Sequence, residues 1–419
     1  MAPLDRKTVT AHSWPPMDIA GRLCRAREAA AAAGCDAVVI SHLANVRYLT
    51  GFRGSAAKFV LGTDSDLGVL VTDGRYATQA PAELARAGAE ARVEALAADE
   101  QLELLGGLTS GLPRVGFEAE HVAWGERRRW GRGWARGHRL VPTTGLVEGL
   151  RSCKDAGEVA RVAAAARLAD QAYRAVLALL AERPEEAEVA LALDSEMRRR
   201  GADGPAFATI VASGPNAAEP HHTPGSRRVR RGELVVLDFG ARVEGYCSDM
   251  TRTVRAGGEE GELAGELRAA AGAVLASQDA GLAAVRDGAG GAEVDRACRE
   301  VIEAAGLGEY FVHGTGHGVG LDIHEAPSLA KRSRDILSRG QVVTVEPGVY
   351  VPGLGGVRTE DTVVVTDAGC EVLTLTPKQA HMLLGGQPPG ARCAPPAPGR
   401  KGAKPKRRPK AKSLTANST

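Results

Sequence analysis

Leu237-Asp238-Phe239-Gly240 and Ser248-Asp249-Met250-Thr251-Arg252-Thr253 set two carboxylates at equal distances from the Val243-Glu244 step. A hairpin turning at that step lays Asp238 opposite Asp249. Glu346 and Glu360 repeat the arrangement about Gly353, inside Val351-Pro352-Gly353-Leu354-Gly355-Gly356, where turn residues fold the apolar run 341–345 back on 357–365. Directly opposed side chains have Cβ atoms about 5 Å apart, and like charges at that separation oppose folding. A pair of divalent metal ions resolves the conflict, because bound cations invert the local charge balance and hard oxygen ligands suit them. One hairpin-end acid facing water would need no such account. Two mirrored pairs do.

Between the pairs runs His313-Gly314-Thr315-Gly316-His317-Gly318-Val319-Gly320-Leu321-Asp322-Ile323-His324-Glu325-Ala326-Pro327. It holds three of the chain's ten histidines, in a glycine-rich stretch where absent Cβ atoms let the backbone crowd a ligand or ion. A lone histidine there is an ordinary loop residue; three beside four acids that need a cation are candidate ligands and proton carriers.

The chain has 419 residues, 44% of them hydrophobic, enough for two or three domains and a sizeable core. Aromatics make up 4%, so that core must be aliphatic and alanine-rich. No stretch reaches the roughly 20 apolar residues of a membrane span, and residues 1–16 lack a signal-peptide core, so a cytoplasmic protein is expected. The seven cysteines are scattered without a Cys-x-x-Cys, which predicts reduced and mostly buried thiols. From Gln387 onward the sequence carries nine basic residues and no acid, leaving the first 386 residues at −7 when those nine are subtracted from the chain's +2. This Pro/Ala-rich segment, 387–419, has the composition of a disordered, solvated tail. Nucleic-acid contact through it is not expected, and its removal should leave activity unchanged.

Residues 1–150 alternate helical and strand patterns: a helix over 19–33, a strand at Ala37–Ile40, a hairpin joining Phe59–Leu61 to Leu67–Val71, helices over 81–87 and 101–108, and a strand near 115–117. All four tryptophans fall in this part, where surface and interface packing is the plain expectation. Residues 151–386 begin with helical patterns over 158–180 and 186–199. A stripe of Val294, Ala297, Cys298, Val301 and Ile302 marks another helix between the two acid hairpins. The succession helix, hairpin, helix, hairpin points to an internal pseudo-repeat with the metal site between its halves.

At these residues the chain resembles the creatinase/prolidase/methionine aminopeptidase superfamily, the pita-bread metallopeptidases, and within it the Xaa-Pro aminopeptidases and Xaa-Pro dipeptidases (prolidases). The matching motifs are Asp238-x-Gly240 to Thr253, Gly316-His317-Gly318-Val319-Gly320 to Pro327, Thr344-Val345-Glu346-Pro347-Gly348 and Gly356-Val357-Arg358-Thr359-Glu360-Asp361, with Tyr48-Leu49-Thr50-Gly51-Phe52 and Asp73-Gly74-Arg75-Tyr76 upstream. The resemblance implies an α/β creatinase-like N-terminal domain and an α+β pita-bread catalytic domain, with antiparallel sheet and an internal pseudo-twofold. It implies Asp238, Asp249, His317, Glu346 and Glu360 as ligands of two metal ions, Asp249 and Glu360 bridging. His221 then lines the substrate cleft, with His222 turned to solvent. His313 and His324 hold substrate and move protons, and Arg358 sits beside the metal carboxylates. One histidine among four carboxylates is a hard donor set, which favours Mn²⁺ over Co²⁺, Fe²⁺ or Zn²⁺. A homo-oligomer, dimer or tetramer, is expected.

The reaction this implies is hydrolysis of a peptide bond before proline, a tertiary amide that defeats proteases relying on strand-like binding. Glu346 is the expected general base, and His324 and His221 the donors to the developing oxyanion. Intact ligand positions argue against a non-catalytic binding protein, and the large N-terminal domain against a methionine aminopeptidase. Cutting dipeptides alone demands a partner for the free carboxylate, for which arginine's planar fork is suited. Ser328 stands where some prolidases carry an arginine, and Arg358 is too close to Glu360 to serve. An Xaa-Pro aminopeptidase with an open cleft is therefore the leading expectation, with a dipeptidase as the alternative.

Overall fold

The computed structural model of the chain describes residues 14–64, 66–257 and 263–378. The basic segment 387–419 and residues 1–13 lie outside them. In the N-terminal part, helix α1 (Ile19–Ala32) starts where Asp18 accepts a hydrogen bond from the Gly21 N–H and leads into β1 (Ala37–Ile40), buried along its whole length. Then come α2 (Leu43–Thr50), β2 (Ala57–Gly62), β3 (Gly68–Thr72), α3 (Gln79–Ala87), β4 (Arg92–Ala95), α4 (Ala98–Leu108), β5 (Arg114–Glu118), α5 (Trp124–Arg132), β6 (Arg139–Thr143) and α6 (Leu146–Ser152). The strands form one six-stranded sheet in the order β4-β3-β2-β1-β5-β6.

The expected β2–β3 hairpin is present, with Phe59 opposite Leu70. The tryptophans depart from expectation. Trp130 is a core residue at 2% exposure, packed with Val39, Val115 and Phe117 on one sheet face. Trp14 packs instead against the core of the C-terminal part, under the Arg161 guanidinium. Only Trp124 is freely exposed. Of the six described cysteines, all free, Cys35, Cys247 and Cys298 are buried, whereas Cys24 and Cys153 are exposed.

The C-terminal part opens with α7 (Ala156–Val176), started by reciprocal Asp155 and Glu158 caps, and α8 (Glu186–Arg199). Strands β7 (Gly204–Pro205), β8 (Ile210–Ser213), β9 (Leu234–Phe239), β10 (Ala241–Val243), β11 (Tyr246–Cys247) and β12 (Met250–Arg255) follow. Helices α9 (Gly265–Ala284) and α10 (Gly291–Ala304) come next. The second strand set is β13 (Gly316–Gly318), β14 (Glu325–Leu329), β15 (Val342–Val345), β16 (Gly348–Val351), β17 (Gly355–Arg358), β18 (Asp361–Thr366) and β19 (Gly369–Val372). The principal sheets run β12-β9-β8 and β14-β13-β15-β18-β19, all antiparallel.

Each of these sheets is backed by a helix pair, and the two-residue side-chain period of a strand decides what the other face carries. Val235, Leu237 and Phe239 of β9 join α7 and α8 in one core, which turns Asp238 to the opposite face. Val343 and Val345 of β15, with Val363 and Val365 of β18, join α9 and α10 in another, which turns Thr344, Thr362 and the flanking Glu346 and Glu360 away from it. Burying one such aliphatic side chain stabilises the fold by about 1.5–3 kcal/mol, so the apolar faces fix the register and hence where the acids point.

The second acid hairpin has the register expected from its turn: Gly348 faces Arg358 and Val345 faces Asp361. The first does not. It turns at Glu244 and Gly245, both at positive φ (45° and 80°), so Asp238 faces Thr251 and sits diagonally from Asp249 rather than opposite it. A two-residue turn with both residues left-handed matches the twist of paired strands, and this moves the hairpin's centre one residue beyond the Val243-Glu244 step. Among the described residues no helix is long and apolar enough to cross a membrane.

Candidate metal centre and active-site pocket

The two hairpins are stitched edge to edge by threonines. Thr251 Oγ1 donates to Glu360 Oε2 (2.7 Å) while its carbonyl accepts the Glu360 N–H (3.1 Å), and Thr362 Oγ1 donates to the Asp249 carbonyl (2.7 Å). The Asp249 and Glu360 backbones are thereby locked together. His317 enters from β13 between two glycines that must stay glycines. A Cβ on Gly316 would lie 2.1 Å from the Thr344 carbonyl oxygen, and one on Gly318 2.2 Å from that of Ala326. A β-bulge between His317 and Gly318 re-aims the strand at this point.

Ligand atoms of Asp249, His317 and Glu360 lie within 4.8 Å of one another. His317 Nδ1 bonds the Gly318 carbonyl (3.0 Å), which makes it the protonated nitrogen and leaves the Nε2 lone pair facing Glu346 Oε1 (3.4 Å) and Asp249 Oδ2 (3.7 Å). Burial pushes this imidazole down to about 4, so it is neutral and ready to ligate at pH 7. Asp238 completes the ring of acids, its Oδ2 held by Arg358 Nη2 at 2.5 Å.

Three carboxylate oxygens here, Asp238 Oδ1, Asp249 Oδ1 and Glu360 Oε1, are buried without a hydrogen-bond partner. Burial, followed by the neighbouring acids, drives Asp249 and Glu360 well above the ordinary carboxylate range. Burial lifts Glu346 to about 8 against the pull of Arg358. Buried carboxylate oxygens that meet no donor are costly unless a cation joins them. The donor set, four carboxylates and a neutral imidazole nitrogen, fits hard or borderline divalent metals.

Above these acids opens a pocket of about 570 Å³, walled by Phe207, Ile210, His221, His222, His313 and His324, with Ser328 at its edge. All nine residues singled out from sequence line it. Two histidines behave differently from expectation. His222 is not turned to solvent: its Nε2 meets Glu186 Oε2 (2.9 Å) and its Nδ1 meets Glu219 (3.1 Å), while His221 is the exposed one. His313 has both nitrogens engaged, Nδ1 by the Gly314 carbonyl (2.7 Å) and Nε2 by the Tyr350 hydroxyl (2.8 Å). His324 stacks edge-on against His317.

Glu186, Tyr350 and Thr251 are the supporting residues that sequence reasoning missed. Glu186 is buried and also accepts from Ser213 N–H, Ser213 Oγ and Asn216. Tyr350 takes a hydrogen bond from Arg358 Nη1 (2.7 Å) and passes its own proton's bond to His313. The only available signal for Tyr350 was its place two residues past Gly348 in the Glu346 hairpin.

The Glu186–His222 contact gives a pH prediction. Burial opposes charge on His222, but the bonds to Glu186 and Glu219 outweigh it and hold its pKa above the usual value. A raised histidine pKa contributes stability that is full below the unfolded value, about 6.5, and lost as pH rises through the folded one. The Tm gap between the parent and Glu186→Gln should therefore be larger near pH 5.5 than near pH 8.5, by on the order of 1 kcal/mol in stability. A pH-independent gap would show that His222 carries no charge in this contact.

A profile of the metallopeptidase family M24 matches residues 160–367, and one of the creatinase/prolidase N-terminal domain matches residues 22–153. The chain is 33% identical to an Xaa-Pro dipeptidase of Pyrococcus horikoshii over 82% of its length and 94% of that protein's. This chain belongs to the metallopeptidase family M24. Among solved structures it is similar to an Xaa-Pro dipeptidase from Bacillus anthracis (TM-score 0.79, 37% identity, 86% of this chain and 99% of that one). It is also similar to an X-Pro aminopeptidase from Thermotoga maritima (TM-score 0.75, 32% identity, 84% and 98%). The fold is the pita-bread fold behind a creatinase-type N-terminal sheet, and the family works with divalent metals.

Proposed function

We propose that the protein hydrolyses Xaa-Pro peptides, with Xaa-Pro dipeptides as preferred substrates, at two divalent metal ions held by Asp238, Asp249, His317, Glu346 and Glu360. The observation that carries the reading is the set of orphaned, buried carboxylate oxygens beside the His317 lone pair at the floor of a histidine-walled pocket. Manganese is the ion favoured by so many carboxylates. When bound, such ions lower the pKa of water and polarise a carbonyl.

The chain's own residues do the rest. Glu346, ionised beside bound cations, takes the attacking water's proton and hands it to the leaving proline nitrogen. His324 and His221 donate to the oxyanion. His313 has no free nitrogen, so its part is to fix Tyr350 and wall the pocket. Arg358 is held by Asp238, Tyr350 and Thr251 and keeps the Asp238 carboxylate aimed. A domain division near residue 150 and a cytoplasmic setting, in keeping with the free thiols, belong to the same reading.

The relatives named Xaa-Pro dipeptidase weigh toward dipeptides and against the aminopeptidase expected from sequence. One observation favours the second reading. Among the described residues lining the pocket, Arg358 is the only arginine or lysine, and it is fully engaged; Ser328 offers no charge, and neither Lys331 nor Arg332 lines the pocket. A dipeptide carboxylate would then be met by a histidine. A charge-assisted hydrogen bond is worth about 1.5–3 kcal/mol, so kcat/KM for Ala-Pro should exceed that for Ala-Pro-Ala by about tenfold or more. Mass spectrometry of products from the manganese-loaded enzyme decides it. Equal or better cleavage of the tripeptide makes this an aminopeptidase, and no cleavage before proline removes both readings.

A further inference from the structure

A second cavity, of about 470 Å³, lies where α2 and the Phe52-Arg53-Gly54 loop of the N-terminal part meet the Arg242–Gly245 turn and Leu321. It shares no lining residue with the active-site pocket. Three arginines line it, Arg47, Arg53 and Arg242, against two acids, Glu83 and Asp203. Both acids are already committed. Glu83 accepts from the Arg53 N–H and Nε (2.8 Å each) and from Gln79, while Asp203 Oδ2 accepts the Gly245 N–H (2.9 Å).

Arg47 and Arg242 are not committed. Among the described residues neither guanidinium has a hydrogen bond or ion pair. Arg242 is exposed, but Arg47 is half-buried, and burial pulls its pKa below the ordinary guanidinium value, with Asp203 only partly offsetting this. Its position is built rather than incidental. Gly245, at φ 80°, leaves the space that Arg47 fills: a Cβ there would lie 2.3 Å from Arg47 Cζ. A guanidinium presents five donors in a fixed fork, and holding one partly out of water with no acceptor opposes folding. Leu43 and Leu321 add apolar surface to the lining.

We propose that this cavity is an accessory binding site for a small organic oxyanion, taken between the Arg47 and Arg242 guanidinium groups with its apolar portion against Leu43 and Leu321. The recognising chemistry is a planar or tetrahedral oxyanion accepting from two forks, which a carboxylate or a phosphate group supplies. The site does not depend on the peptidase reading, since none of its residues is assigned a part in hydrolysis.

The test is isothermal titration of the metal-loaded full chain with sulfate, as the tetrahedral probe, and separately with butyrate, as the carboxylate probe. The same titrations are run on Arg47→Gln with Arg242→Gln, and on Arg296→Gln, an exposed arginine of α10, as the control. Saturable binding of one probe, weakened at least about tenfold by the double substitution (~1.4 kcal/mol) and unchanged in the control, is the expected result. Sulfate alone binding assigns phosphate groups, and butyrate alone assigns carboxylates. Equal binding by parent and double variant places the anion elsewhere and overturns the proposal, as does the absence of saturation by either probe in the parent. If the double variant does not fold, Arg242→Gln alone carries the comparison, because that side chain is exposed.

Discussion

Replacing Asp249 or Glu360 by alanine is expected to abolish hydrolysis while leaving the metal-free protein as stable as the parent or more so. The two effects separate because these acids are costly to the bare fold. Each is buried, has an oxygen without a partner, and is driven upward first by burial and then by its acidic neighbours. Removing one relieves repulsion on the rest, which is the usual signature of residues kept for function at the expense of stability. Substituting residues that merely support metal ligands costs 10- to 100-fold in affinity or activity, so loss of a proposed bridging ligand should cost more than about 100-fold. Adding Mn²⁺ to the metal-free parent should raise its Tm by mass action, and in either variant most of that rise should disappear. Elemental analysis of the active parent should find two ions per chain. One ion per fully active chain, or a variant that keeps both its activity and its metal-dependent Tm rise, would remove the dinuclear account.

The acid hairpins were legible because their chemistry is local. Glu346 and Glu360 straddle a turn whose residues fix its centre at Gly353, and the observed register follows. In the first hairpin the midpoint between Asp238 and Asp249 falls one residue short of the turn. The left-handed pair Glu244-Gly245 marks it instead, and glutamate is a weak advertisement for positive φ. The helix pairs behind the sheets announced themselves by apolar periodicity. Less visible were β4, whose residues are only partly buried, and α5, whose run of arginines hides the one side chain, Trp130, that ties it to the core. The same limit governs the site. Ligand types and spacing could be read along the chain, whereas His222, chosen as the solvent-facing neighbour of His221, is claimed by Glu186 from a helix 36 residues away. Long-range partners of this kind leave no local pattern. Tyr350 and the stitching threonines were hidden for the same reason.

Arg252→Ala should be the most destabilising single change behind the metal centre, at about 3–5 kcal/mol, the range for removing one member of a buried, hydrogen-bonded ion pair. Arg252 is 1% exposed and holds four backbone or side-chain acceptors at once. Its Nη2 donates to Asp361 Oδ1 (2.7 Å) and to the Thr376 carbonyl (2.6 Å), and its Nη1 donates to the Thr251 carbonyl (2.9 Å) and to that of Glu360. Asp361, also buried, would keep Thr374 and Gln278 as donors but lose its close cation, with Lys378 left at 3.7 Å. The Thr376 and Glu360 carbonyls would lose their guanidinium donor as well, while the Thr251 carbonyl would keep the Glu360 N–H. The loss also reaches the site: Thr251 and Glu360 are the residues whose carbonyls Arg252 draws together, and Thr376 is the strap that returns to Asp170 of α7. Arg252→Lys preserves the charge but not the fork, so it should recover part of the stability and little of the geometry. Denaturant midpoints of metal-free parent, Arg252→Ala and Arg252→Lys give the comparison, with a control at exposed Arg296 expected to change by less than about 0.5 kcal/mol. Should Arg252→Ala prove too unstable to purify, the lysine variant still tests the argument: parent-like stability and parent-like activity together would mean that the network is redundant and that the hairpins are held by their threonines alone.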